Sequence, residues 1–182
     1  MVDKREQLVS AAARVMQASG YAGTTLALVA RDAKIPLGNV YYYFRTKEEL
    51  AQAVVDRRVQ ELRALLASAE KKSSPLARVR AVIAAFEAAA ETLVATGCRY
   101  GNLSQELEKR EDDLAANAAR LFSIQVEWFE VQFRALGVGA RSADRAVELL
   151  CAIQGACLVG FGLKDPALFK KRLRAISRKL GR

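Results

Sequence analysis

Alanine occupies 33 of the 182 positions, and strict apolar/polar alternation over a strand length is hard to find. Alanine is the best helix former and alternation is the mark of a strand, so this pattern restricts the chain to an all-α fold. Proline and glycine punctuate the helices. Pro36, Pro75 and Pro166 suit first helical turns, where a missing N–H costs nothing, while Gly20, Gly97 and Gly137 each follow an apolar-periodic stretch. About nine helices result.

The first is expected from Lys4 to Ser19, with Asp3 and Glu6 at capping-box-like spacing and Leu8, Ala11, Ala12, Val15 and Met16 as its apolar stripe; Gly20 stops it. Two short helices near 25–33 and 37–44 follow, separated by a tight turn. A longer one opens after Thr46, where Thr46 and Glu49 fit a capping box. Lys71-Lys72-Ser73-Ser74-Pro75 breaks the chain, and Val79, Ile83, Phe86, Ala90 and Leu93 line the fifth helix. A short helix at 101–108, a long one at 112–136, and two opened by Ser142 and Pro166 complete the series.

Composition narrows function by exclusion. With no histidine there is no Ser/His/Asp triad, no Cys/His pair and no His-ligated zinc, and Cys98, Cys151 and Cys157 form no close metal-ligand pair. Neither enzyme chemistry nor a metal or other cofactor is expected. Three cysteines without a signal-like start suggest free thiols in a reducing cytoplasm, and no apolar run approaches the roughly 18 residues of a membrane span. The net charge of +9 gathers at the two ends of the chain, which permits contact with nucleic acid and is equally compatible with solvated faces.

Residues 24–47 have the spacing of a helix-turn-helix. Val29, Ala33, Ile35 and Val40 close a small core, small Ala30 lets two helices approach, and the second helix is free to enter a major groove. That helix displays Gly38, Asn39 and the run Tyr41-Tyr42-Tyr43. Successive residues point about 100° apart, so three rings cannot share one buried face and at least one is expected to be exposed. Gly38 allows close backbone approach, Asn39 can bond a base edge or a phosphate, and the phenols can bond phosphate oxygens. Lys47 at a helix start and Thr25 at another mark phosphate sites. An ordinary three-helix unit with packed tyrosines is the competing reading, although Gly and Asn are poor interior helix formers.

Residues 4 to about 55 resemble the DNA-binding domain of TetR-family transcriptional regulators. The likeness rests on Gly20-Tyr21, Thr24-Thr25, Val29-Ala30, Ala33, the stretch Gly38-Asn39-Val40-Tyr41-Tyr42-Tyr43-Phe44, and Lys47-Glu48-Glu49-Leu50. The resemblance implies that Thr25, Leu26, Pro36, Leu37, Gly38, Asn39, Tyr41, Tyr42, Tyr43 and Lys47 meet a double-stranded DNA operator. It also implies a DNA-binding domain at 1–50 and a helical regulatory and dimerisation domain at 51–182. Two positions depart from the family pattern. Lys34 stands where the turn glycine is usual, which calls for a left-handed lysine or a different turn, and Pro36-Leu37 replace polar residues.

TetR-like proteins dimerise through their carboxy-terminal helices and often hold an inducer there. Ala152, Ala156 and Gly160 give one helix a small-residue seam, and Phe169, Leu173, Ile176 and Leu180 give the last an apolar line; the two suit a four-helix homodimer interface or packing inside one subunit. For an unknown small-molecule inducer, Gln125, Trp128, Phe129 and Gln132, with Phe86, Glu87, Tyr100 and Gln154, offer an apolar enclosure with a few polar groups, or an ordinary core with amides at its edge. Gly97-Cys98-Arg99-Tyr100-Gly101-Asn102-Leu103-Ser104-Gln105-Glu106-Leu107 resembles a stretch of a TetR subgroup that includes regulators responsive to electrophiles or oxidants, which makes Cys98 either a sensor or a small buried hydrophobe; Cys151 and Cys157 are read as buried hydrophobes. The resulting expectation is a cytoplasmic homodimeric repressor without membrane contact, against the alternative of a helical interaction protein that leaves its helix-turn-helix unused.

Overall fold

The computed structural model describes residues 3–108 and 113–180. Among these the secondary structure is entirely helical: α1 (Lys4–Gly23), α2 (Leu26–Ala33), α3 (Leu37–Tyr43), α4 (Lys47–Glu70), α5 (Pro75–Ala88), α6 (Ala90–Thr96), α7 (Gly101–Leu107), α8 (Asp113–Ala135), a 3-10 turn (Gly139–Arg141), α9 (Ser142–Leu163) and α10 (Pro166–Lys179). The described residues pack as two compact units. One comprises the chain up to Gln60 with the segment Arg99–Leu121, the other Glu61–Cys98 with the segment from Phe122 onward. These packing units are drawn differently from the division expected at residue 50, because α7 packs on α1.

In the first unit, local chemistry sets the helix ends. The Asp3 carboxylate accepts from the Arg5 N–H at 3.0 Å, while Glu6, expected to share in a capping box, instead pairs with Arg57 at 2.6 Å. Gly20 interrupts α1 with φ 71° and ψ 169°, and the helix resumes for a last turn at Tyr21. Thr24 is buried, its hydroxyl donating to the Gly20 carbonyl at 2.7 Å, so its polar group is satisfied. Leu8, Ala11, Ala12, Ala13 and Met16 of α1 pack inward with Val29, Ala30, Ala33, Ile35, Val40 and Phe44. Val15 lies only half-buried at the edge of that stripe.

In the second unit, α10 packs on α5, α6 and α9, and α6 packs on α9. Ser74 caps α5 and Asp165 caps α10, each with proline in the first turn. The stretch read as one fifth helix divides at Ala89, whose φ of −90° and ψ of 10° separate α5 from α6. Gly160 is where α9 takes its neighbours closely: a Cβ there would stand 3.0 Å from the Phe169 Cβ and 3.3 Å from a Val94 methyl. Gly160, Phe169 and Leu173, read from the sequence as interface residues, are buried in this packing inside the chain. Ala152, Ala156, Ile176 and Leu180 instead border a surface groove of about 670 Å³ floored by apolar side chains.

Helix α9 carries its charged residues in its first two turns and, from Leu149 onward, apolar residues on both its inward and its outward sides. Together with the preceding turn it is long and apolar enough to cross a membrane by length and composition, its best 18-residue window having a mean hydropathy of 1.8, a correction to the expectation that no run approaches that length. The cause is a double duty. Ala146, Leu149, Leu150, Ile153, Cys157 and Gly160 face the core, while Val147, Leu158, Val159 and Leu163 are exposed, Leu158 by 66%.

Candidate nucleic-acid interface

The helix-turn-helix is built from three local devices. Thr25 precedes α2 in an extended conformation and its hydroxyl accepts the Leu28 N–H at 3.1 Å. This N-cap is worth about 1 kcal/mol. At the other end Lys34 is left-handed (φ 55°, ψ 39°), and the Ile35 N–H reaches back to the Ala30 carbonyl at 3.0 Å in a Schellman-type closure. The turn therefore keeps the geometry that a glycine would adopt, with lysine carrying the strain. Pro36 lies just before α3 rather than in its first turn, and its carbonyl accepts from the Asn39 N–H at 2.9 Å.

Only Val40 of α3 is buried, with Ile35 and Phe44 flanking it. The remaining surface is bare. Tyr42 is 83% exposed, Tyr41 53% and Leu37 39%, while Asn39 and Tyr43 are half-buried and the Tyr42 and Tyr43 rings meet edge-on at 5.0 Å. A Cβ built on Gly38 would meet nothing within 4 Å, so the chain's own packing does not require glycine there. Thr25 and Pro36 are exposed and Leu26 half-buried. The competing reading of fully packed tyrosines fails for Tyr41 and Tyr42.

Helix α4 opens with the expected capping exchange: Thr46 Oγ1 accepts the Glu49 N–H at 3.1 Å, and Glu49 Oε2 accepts the Arg45 N–H at 2.7 Å. Lys47 is half-buried. Its ammonium donates to the Tyr21 carbonyl at 3.2 Å and lies 4.3 Å from the centre of the Tyr21 ring. The sequence marks Lys47 as basic at a helix start but gives no sign of this internal anchorage.

The inducer-site candidates distribute unevenly. Phe86, Phe129, Gln125 and Gln132 are buried in the second unit, Gln154 is half-buried there, and Trp128 stacks edge-on against Phe129 at 5.5 Å while its Nε1 donates to Glu70 at 3.0 Å. Gln132 Oε1 and Gln154 Nε2 are buried without a hydrogen-bond partner. Glu87 is bound to Arg174 at 2.6 Å, and Tyr100 belongs to the first unit. Cys98 and Cys157 are buried and hydrogen-bonded to each other; that bond first, and burial second, push the Cys157 thiol far above its ordinary range. Cys151, read as buried, is exposed, because it lies on the outward side of α9. No cluster of three or more acidic, cysteine or histidine side chains suited to a metal occurs among the described residues.

A bare, aromatic second helix set by a Schellman-closed turn on a capped first helix has the geometry of a helix-turn-helix. Residues 8–54 match the bacterial regulatory proteins of the tetR family. The amino-terminal segment is thus similar to that of the tetR family, and the whole chain has the fold of TetR-family regulators. A crystal structure of the regulatory protein TetR from Rhodobacter sphaeroides superposes with a TM-score of 0.82 at 24% identity, covering 95% of this chain and 96% of that one. The chain is 29% identical over 126 residues to the HTH-type transcriptional repressor DhaR of Mycobacterium sp. (strain GP1), covering 69% of this chain and 63% of DhaR, less than two thirds of that relative's length. It is 26% identical over 167 residues to the HTH-type transcriptional regulator LmrA of Bacillus subtilis (strain 168), covering 90% and 89%. These relatives are transcriptional regulators, not enzymes.

Proposed function

We propose that the chain is a ligand-responsive transcriptional repressor that binds a partly palindromic operator as a homodimer in the cytoplasm. The observation that carries this reading is the uncovered face of α3, where Tyr41 and Tyr42 stand clear of the chain beside a glycine with open space above it. Tyrosine hydroxyls and Asn39 supply phosphate and base-edge bonds, Leu37 suits a thymine methyl, and Thr25 and Lys47 flank them at helix starts. Leu26, Pro36, Gly38 and Tyr43 complete the surface, and residues 1–50 form its functional domain.

A second copy of the chain is the proposed occupant of the outer face of α9 and the groove it shares with α10. That groove is floored by Phe133, Leu149, Ala156, Val159 and Ile176, with Arg145, Glu148 and Arg172 along it, so a two-fold partner can bury the apolar floor and cross-pair the charges. Residues 51–182 hold the inducer, an unidentified small molecule or an electrophile, and release follows if the inducer prefers the state whose recognition helices are misplaced. A tenfold preference corresponds to about 1.4 kcal/mol.

Fluorescence anisotropy with duplexes from the DNA upstream of the chain's own gene, titrated against random competitor at several salt concentrations, tests the reading. Selective, salt-dependent binding is expected; equal affinity for every duplex would overturn it. Lys47→Ala is expected to weaken all duplexes and reduce the logarithmic salt slope by about 0.9, and Asn39→Ala to shift sequence preference.

A further inference from the structure

Helix α7 carries a carboxylate that reaches the break in α1. Glu106 Oε2 accepts the Tyr21 N–H at 2.6 Å and lies 3.4 Å from the Ala22 N–H. These are the N–H groups at the start of the turn that resumes after Gly20, the kind of position that a cap serves. Glu106 thus acts as an N-cap supplied from 85 residues away in sequence. The bond is charge-assisted. Gly20 makes room for it: a Cβ at that position would stand 2.6 Å from Oε2 and 2.9 Å from Oε1.

The residue so held is also the seat of Lys47. Tyr21 is 7% exposed; its hydroxyl donates to Glu48 Oε1 at 2.8 Å, its carbonyl accepts from Lys47 Nζ, and its ring lies beneath the same ammonium. One side chain therefore ties the first turn of α4 to the backbone segment that Glu106 fixes. We propose that Glu106 is a positioning residue for DNA binding: by capping the restart at Gly20 it holds Tyr21, and through Tyr21 it sets where Lys47 presents its charge. The proposal rests on the reading of Lys47 as a phosphate contact.

The experiment uses the full chain in three parts. Amide exchange followed by NMR reads the cap without DNA: Tyr21 and Ala22 are expected to exchange about tenfold faster in Glu106→Ala, with Glu106→Gln, which keeps an acceptor oxygen, close to wild type. Operator affinity is expected to fall about tenfold in Glu106→Ala, with the salt slope reduced by about 0.9, because a displaced Lys47 no longer neutralises its phosphate. In a Lys47→Met background the same Glu106→Ala change is expected to cost less than about twofold, since the group it positions is gone. A purely structural role would lower the melting temperature and leave the affinity and salt slope of the folded protein unchanged, which would overturn the proposal. Equal losses in the two backgrounds would overturn it as well. A wild type that prefers no duplex would instead overturn the functional reading, while the exchange rates still decide whether Glu106 caps Tyr21.

Discussion

Replacing Gly20 by alanine perturbs the fold at a tightly constrained backbone position. The backbone there (φ 71°, ψ 169°) lies in a region adopted almost exclusively by glycine, so a side chain adds about 1–3 kcal/mol of strain. The new Cβ would also meet Glu106 Oε2 at 2.6 Å. The carboxylate ends a flexible side chain and can swing away, at the loss of its charge-assisted bond to Tyr21, worth about 1.5–3 kcal/mol. Alanine's smaller backbone entropy loss returns about 0.5–1 kcal/mol, leaving a net destabilisation of about 2–5 kcal/mol. For a chain of this size that lowers the melting temperature by about 5–15 °C. Urea unfolding followed by circular dichroism measures it, and Gly20→Ala in a Glu106→Ala background isolates the strain, since the displaced bond is already absent. A Gly20→Ala protein within about 1 kcal/mol of wild type would refute both the strain and the clash.

Lys34→Gly relieves a left-handed residue at a cost in chain entropy and is expected to stabilise by up to about 1 kcal/mol in urea unfolding; a lower midpoint would contradict the strain argument. Thr25→Ala removes the acceptor for the Leu28 N–H and is expected to cost about 1 kcal/mol, with Thr25→Ser close to neutral; equal stability of all three forms would remove the cap. In the native protein a thiol reagent is expected to modify Cys151 at most, with Cys98 and Cys157 reacting only on unfolding; rapid reaction of either buried thiol would contradict their placement. Leu158→Glu on the outer face of α9 is expected to weaken self-association at least about tenfold in sedimentation without changing helicity, and unaltered association would exclude that face as the dimer contact.

Local rules made much of the architecture legible. Thr25, Ser74 with Pro75, Asp165 with Pro166, and the Thr46/Glu49 exchange are short-range chemistry, and each stands where its sequence signal puts it. The break at Ala89 carries no such signal, since an alanine run contains neither proline nor glycine to mark it. Partnerships across the fold were not readable either: Glu106 with Tyr21 and Cys98 with Cys157 depend on how helices meet. Helix α9 hid its orientation for a different reason. With apolar residues on both its inward and its outward sides, periodicity cannot separate the inward seam at Gly160 from the outward one at Leu158, and so Cys151 reads as buried although it faces outward. The exposure of α3 was legible because three adjacent rings exceed what one buried face can take.

The empty space above Gly38 separates two demands that coincide at most helical positions. Alanine there would stiffen the unfolded chain and tighten α3 without touching a neighbour, a gain of about 0.5–1 kcal/mol that the protein forgoes. Folding therefore has no stake in keeping this notch open. On the proposed reading the methyl group is missing for the benefit of an outside surface, so position 38 offers a place to make the molecule sturdier and blunter by the same single atom.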